Sequence, residues 1–164
     1  MNIIDIFCGC GGLTEGFLST KKFNTLAIID WDKASIQTLK NRMRKKWGYK
    51  NIDDIAINYD LQKIDEIING YDDPVYGKSQ GLYSLTKGKK VDFIVGGPPC
   101  QAYSLAGRVQ DKNGMRDDYR NYLFESFVNL VNEYKPEGFI FENVMGILTA
   151  KPGEILITER ITKA

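Results

Sequence analysis

The chain has 164 residues, 43% hydrophobic and 26% charged, proportions that fit one globular domain and exclude both a disordered and a fibrous chain. Lys and Arg number 22 against 21 Asp and Glu, and the formal net charge of +1 excludes a whole-chain electrostatic grip on nucleic acid. Without histidine there is no His general base, no Ser-His-Asp triad and no His-metal site, and three cysteines (Cys8, Cys10, Cys100) do not complete a four-ligand zinc site, so no metal is expected.

In chain order, Asn2 to Phe7 is an apolar, β-branched run of the kind found in buried parallel strands, closed by a turn at Gly9, Gly11 and Gly12. Leu13 to Leu18 begins a helix. Thr25 to Asp30 is a second buried strand, and Asp32 caps a helix with Ile36, Leu39, Met43 and Trp47 at helical spacing. Ile55 to Tyr59 is a weaker third strand, followed by a short helix holding Leu61, Ile64, Ile67 and Ile68. Asn69 to Lys90 contains four glycines and little periodicity, and reads as a long surface loop. Val91 to Val95 is a fourth strand ending at Gly96-Gly97-Pro98-Pro99. A helix from about Arg120 to Tyr134 and a fifth strand, Gly138 to Phe141, follow. Alternation of strands and helices predicts an α/β fold with a doubly wound, mainly parallel sheet. No apolar run approaches the ~20 residues that cross a bilayer, so no membrane partner is expected. An odd cysteine count and an N-terminus without a basic lead are those of a cytoplasmic protein with reduced thiols.

Ligand chemistry in such sheets gathers at the carboxyl ends of the strands, where this chain's unusual residues fall. The glycines after the first strand suit either a nucleoside-type cofactor or a plain tight turn. Asp30-Trp31, after the second, pairs an acceptor for two ribose hydroxyls with an indole that stacks on a purine, or else is a capping Asp and a half-buried Trp. Asp60-Leu61, after the third, meets an exocyclic amine and covers a ring, or caps a helix. Two prolines stiffen the chain before Cys100 in Pro98-Pro99-Cys100-Gln101-Ala102-Tyr103-Ser104, which presents a thiol rigidly at a strand end. Phe141-Glu142-Asn143-Val144 adds a carboxyl group at the end of the fifth strand; a nucleophile and a carboxyl group there can face one small planar substrate, or else Cys100 is a buried structural cysteine and Glu142 a solvated strand terminus.

Phe7-x-Gly9-x-Gly11-Gly12, Pro99-Cys100-Gln101 and Glu142-Asn143-Val144, in this order, resemble the DNA (cytosine-5)-methyltransferases, and Asp118-x-Arg120-x-x-Leu123-Phe124 resembles their intermediate motif. The resemblance runs from about residue 3 to 148 and implies a Rossmann-like methyltransferase fold with S-adenosyl-L-methionine (SAM) as cofactor. It implies that Phe7, Gly9, Gly11, Gly12 and Leu13 cradle the amino-acid portion and sugar. Asp30 would take the ribose hydroxyls, Trp31 the adenine face, Asp60 with Leu61 the adenine edge, and Pro99 and Leu123 would also touch the cofactor. Cys100 matches the nucleophile and Glu142 the residue at the cytosine ring nitrogen. Gln101, Ser104, Arg108, Asn143 and Val144 would contact substrate. Pro98 stands where many members carry phenylalanine.

The chemistry asks for these residue types. Carbon 5 of cytosine attacks a sulfonium methyl only after a thiolate adds to carbon 6 and turns the ring into an enamine. A proton held by Glu142 at nitrogen 3 disperses the charge that builds there, which requires a raised carboxyl pKa and a dry pocket. The base must leave the helix stack, and Gln101 to Tyr119 reads as a loop that closes over it.

The basic cluster Lys40, Arg42, Arg44, Lys45, Lys46 and Lys50 lies at a helix C-terminus away from Cys100, and reads as a solvated face. The resemblance also implies that residues 1–148 form a partial SAM-binding catalytic domain. Residues 149–164 would lead toward further strands, an arginine motif and a target-recognition domain, supplied in cis or in trans. Double-stranded DNA is the expected partner; cytosine in tRNA, or SAM binding without activity, are the alternatives.

Overall fold

A computed structural model of the chain describes residues 1–99 and 123–149, together with Glu159 and Ile161. Strands β1 (Asn2–Ile6), β2 (Asn24–Asp30) and β3 (Ala56–Asn58) are joined by helices α1 (Gly12–Ser19), α2 (Lys33–Trp47) and the single turn α3 (Ile52–Ile55). Then come α4 (Ile64–Asn69), a hairpin of β4 (Tyr71–Asp73) and β5 (Gly77–Ser79), α5 (Gly81–Thr86), β6 (Phe93–Gly96), α6 (Leu123–Tyr134), β7 (Gly138–Phe141) and a 3₁₀ turn, Met145–Thr149.

Five strands form one parallel sheet in the order β3-β2-β1-β6-β7, with the β4-β5 hairpin apart from it. The chain winds outward from β1 to β3, then returns to the other side of β1 through β6. That reversal places a crevice at the carboxyl ends of β1 and β6. Buried side chains line both faces. Ile4, Ile6, Leu26 and Ile94 pack against Ile67, Leu82, Phe127 and Leu130, whereas Ile28 meets Leu18, Ile36, Leu39 and Met43. The doubly wound architecture expected from the sequence is therefore present. Asp32 caps α2 as expected, its Oδ2 accepting from Ser35 N at 2.8 Å, and the α2 apolar stripe is buried.

Three expectations are corrected. Residues 69–90 are not a surface loop but the β4-β5 hairpin and α5, with Leu82 fully buried. What orders this stretch is aromatic packing, not periodicity. The Tyr71 ring stacks on Tyr59 at 3.7 Å, and Tyr76 meets the same ring edge-on. The third strand is shorter than Ile55 to Tyr59, because Ile55 closes the α3 turn. The fourth begins at Phe93 instead of Val91: Asp92 pins the start of β1, accepting from Asn2 N at 2.6 Å and donating its own N–H to Asn2 O at 2.9 Å.

The basic face of α2 is largely neutralised within the fold. Arg42 and Lys46 both reach Glu15, at 3.3 and 2.7 Å, while Lys40 and Arg44 reach Asp53. At the other side of the sheet, Phe139 and Ile140 of β7 are both exposed, and no further strand pairs with β7 among the described residues. No helix among the described residues is long and apolar enough to cross a membrane.

Candidate active site

Parallel pairing brings the ends of β1, β2 and β3 side by side, with Ile6 opposite Ile29 and Asp30 opposite Asn58. The turn after β1 leaves the sheet through left-handed conformations at Phe7, Gly9 and Gly11 (φ of 60°, 52° and 86°). Gly11 has a packing reason as well, since a β-carbon there would lie 2.7 Å from Leu39 Cδ1. A β-carbon on Gly9 or Gly12 would meet nothing within 4 Å, so the space over these two glycines is open. Leu13 is half-buried at the start of α1.

Asp30 ties this turn to β2. Its Oδ2 accepts from Gly9 N at 2.7 Å and its Oδ1 from Asp32 N at 2.9 Å, and burial holds its carboxyl above the usual range. Beside it, the Trp31 side chain is 60% exposed, a bare indole face at the mouth of the crevice. A residue that the sequence reading missed, Asn58, fixes this pair by donating Nδ2 to the carbonyls of Asp30 and Trp31 at 3.0 and 2.8 Å. The available signal is an amide side chain on the last residue of a neighbouring parallel strand. Asp60 is half-buried and folds its own turn, Oδ1 accepting from Gln62 N at 3.0 Å; it does not cap α4, whose N-cap position is Lys63. Leu61 and Leu123 are buried in one cluster with Phe7.

A second missed residue lies below the turn. Asp5 of β1 is completely buried, its Oδ2 accepting from both Thr14 N, at 3.0 Å, and the Thr14 hydroxyl. Burial pushes its carboxyl up to about 7, with the Asp30 carboxylate adding to the rise. The buried Cys8 thiol is raised well above its ordinary range, again chiefly by burial and then by Asp5 and Asp30.

The ends of β6 and β7 form the other half of the crevice. Glu142 N donates to Gly96 O at 2.9 Å, which continues the sheet pairing one residue past β7. Asn143 Nδ2 donates to Pro98 O at 2.9 Å, which holds the chain two residues before Cys100. Val144 is half-buried against Phe124 and Ile147. Glu142 rests its carboxylate against Gly97, where a β-carbon would lie 2.7 Å from Glu142 Oε2. The Glu142 side chain is exposed, so the described residues do not supply the dry surroundings expected for it. Pro99 is half-buried at the end of this segment, while Cys100, Gln101, Ser104 and Arg108 lie outside the described residues.

The strand order, the helices on both faces and the glycine turn after β1 define a Rossmann-like fold of the methyltransferase kind. The chain superposes on an E. coli prophage protein described as a DNA modification methyltransferase with a TM-score of 0.66 and 26% identity, over 99% of this chain and 37% of that one. The S. pombe Dnmt2 methyltransferase shares the fold, with a TM-score of 0.61, 13% identity and coverage of 99% and 40%. The sequence matches the C-5 cytosine-specific DNA methylase family over residues 1–71 and 76–162, and the chain belongs to that family. Type II methyltransferase M.Bpa9945I of Bacillus paralicheniformis is 33% identical over 94% of this chain and 43% of its own length. M.DdeI of Desulfomicrobium norvegicum is 34% identical over 92% of this chain and 29% of its own. The chain thus spans less than half the length of either relative.

Proposed function

We propose that this chain is the SAM-binding and catalytic part of an enzyme that methylates carbon 5 of cytosine in duplex DNA. One observation carries the reading. An open glycine turn with Asp30-Trp31 beside it, and the Gly97–Pro99 and Glu142 strand ends, face one crevice within a chain of the cytosine-5 methylase family.

The crevice fits SAM in its donor set. Open space over Gly9 and Gly12 receives the amino-acid portion, while Phe7 and Leu13 flank it. Each Asp30 oxygen accepts one backbone N–H and keeps a lone pair for a ribose hydroxyl. The exposed indole of Trp31 offers a stacking face to adenine, and Asp60, Leu61, Pro99 and Leu123 close around the ring edge. Gly11 serves the site indirectly, by seating the turn on Leu39. When bound, SAM supplies an electrophilic methyl group. Cys100 Sγ adds to carbon 6 of the flipped base, and Glu142 holds a proton at nitrogen 3. Closure over the base supplies the dry surroundings that exposed Glu142 lacks. Loss of the carbon 5 proton to water then lets the thiol leave. Gln101, Ser104 and Arg108 are the candidate contacts to the base, and Asn143 holds Pro98, two residues before Cys100.

Two substitutions test the halves of the crevice separately. Trp31→Ala should weaken SAM binding by about 1–3 kcal/mol, the scale of one aromatic stack on a base. The indole is mostly exposed, so thermal stability should hardly change; calorimetry reads the first and a melting curve the second. Gly97→Ala should displace the Glu142 carboxylate while leaving SAM affinity intact. The carboxylate is the end of a flexible, exposed side chain, so a single-turnover methylation assay of the complete enzyme should register a loss well below the roughly 100-fold that a fixed misplacement of about 1 Å brings.

The reading as a whole is tested by methyl transfer. The 164-residue chain alone should not methylate DNA, because base-edge readout and a run of phosphate contacts need more positive surface than a net charge of +1 provides. Adding the segment that corresponds to the remaining length of the relatives, in cis or in trans, should restore transfer to duplex DNA in competition with tRNA. Sequence-specific methylation by the chain alone, or preference for tRNA, would refute it.

A further inference from the structure

The glycine turn hangs between two buried carboxylates that belong to neighbouring strands. On the sheet side, Asp30 Oδ2 holds Gly9 N at 2.7 Å. On the helix side, Asp5 Oδ2 holds Thr14 N at 3.0 Å together with the Thr14 hydroxyl. Helix α1 needs this second hold. Its N-cap position is Gly11, in the left-handed region, with no side chain to accept from the first turn. Asp5, nine residues upstream on β1, reaches across and accepts in its place. The arrangement is costly, since Asp5 is fully buried and its Oδ1 has no hydrogen-bond partner among the described residues. An apolar residue would fill this position in β1 at lower cost, so a reason for the carboxyl group lies in what it fixes.

We infer that Asp5 and Thr14 are positioning residues for the methionine half of the cofactor, setting the helix-side wall of the glycine turn as Asp30 sets its sheet-side wall. The inference rests on the SAM reading above. Neither side chain touches the cofactor; both are buried behind the backbone that does. In the adenosine half, the adenine is held elsewhere, by Trp31, Asp60 and Leu61, and the ribose hydroxyls by Asp30 on the sheet side of the turn, none of which hydrogen-bonds to Asp5. The two halves of SAM should therefore respond differently to the same substitution.

The test measures SAM and adenosine affinity of the 164-residue chain by calorimetry, with amide hydrogen exchange over Gly11 to Thr14 as a readout that needs no ligand. Asp5→Ala should weaken SAM at least tenfold, leave adenosine within twofold, and speed exchange of those amides while α2 keeps its protection. Asp5→Asn keeps an acceptor for Thr14 and should stay within about threefold of the native SAM affinity. Should Asp5→Ala fail to fold, Thr14→Val, which removes only the hydroxyl, should still weaken SAM selectively, with Thr14→Ser restoring it. Parallel losses of SAM and adenosine, or native SAM affinity in both Asp5→Ala and Thr14→Val, would overturn the positioning role. A native chain that binds no SAM would overturn the cofactor reading instead.

Discussion

Serine in place of Cys100 should reduce methyl transfer by the complete enzyme to the level of an enzyme-free control, with SAM affinity nearly unchanged. The expectation follows from what carbon 5 of cytosine requires. Its ring attacks a methyl group only once carbon 6 has been saturated by a strong nucleophile, and thiolate is available near neutral pH whereas alkoxide is not. Within this chain the other thiols are placed differently: Cys8 is buried with its ionisation suppressed, and Cys10 stands in the glycine turn after β1. Apart from Pro99, the cofactor contacts proposed here come from the ends of β1, β2 and β3 and from α6, so they should survive the exchange. A tritiated-methyl assay alongside calorimetry separates the two effects. Substantial turnover by the serine variant would remove Cys100 from the role of nucleophile.

The second large effect concerns stability. Burial raises the Asp5 carboxyl from an ordinary value of 3.8 to about 7, so between those values the folded chain holds a proton that the unfolded chain has lost. Stability from this group is complete below the unfolded value and is lost as pH rises through about 7. A shift of about three pK units corresponds to on the order of 4 kcal/mol. Asp30, also raised by burial, titrates in the same direction, and Glu15, Asp32, Asp53 and Asp73, all lowered, in the opposite one. The informative quantity is therefore the difference between Asp5→Asn and the native chain. That difference should move in favour of the asparagine variant by up to about 4 kcal/mol between pH 4 and 8 in denaturant melts. A difference that does not change with pH would mean that Asp5 ionises freely in the folded chain.

Much of the sheet was legible because its strands carry unambiguous local signals. β2 and β7 are unbroken apolar runs bounded by polar or glycine residues, and α2 carries both a cap at Asp32 and a helical stripe. The stretch from 69 to 90 was not legible, because its order comes from Tyr71 and Tyr76 packing on Tyr59, a contact that crosses elements and leaves no period. The same division holds in the candidate site. Gly9, Asp30, Trp31 and Glu142 stand in motifs at strand ends and are found by reading along the chain. Asp5, Asn58 and the Asn143 contact with Pro98 are not, since each acts on a backbone group of another element whose proximity exists only once the sheet has formed.

The place of β1 at the middle of the sheet has a consequence for how the chain assembles. Ile3 pairs with Thr25 on one side and with Phe93 on the other, separations of 22 and 90 residues. A fourfold longer closure costs roughly 1.2 kcal/mol more in loop entropy. Contacts of that range also slow folding. During synthesis the first pairing becomes available once Asp30 has left the ribosome, whereas the second must await Phe93 and its neighbours. The seam where cofactor and target base are proposed to meet is thus among the later parts of the sheet to close, and the nascent chain carries one edge of its central strand unpaired until then.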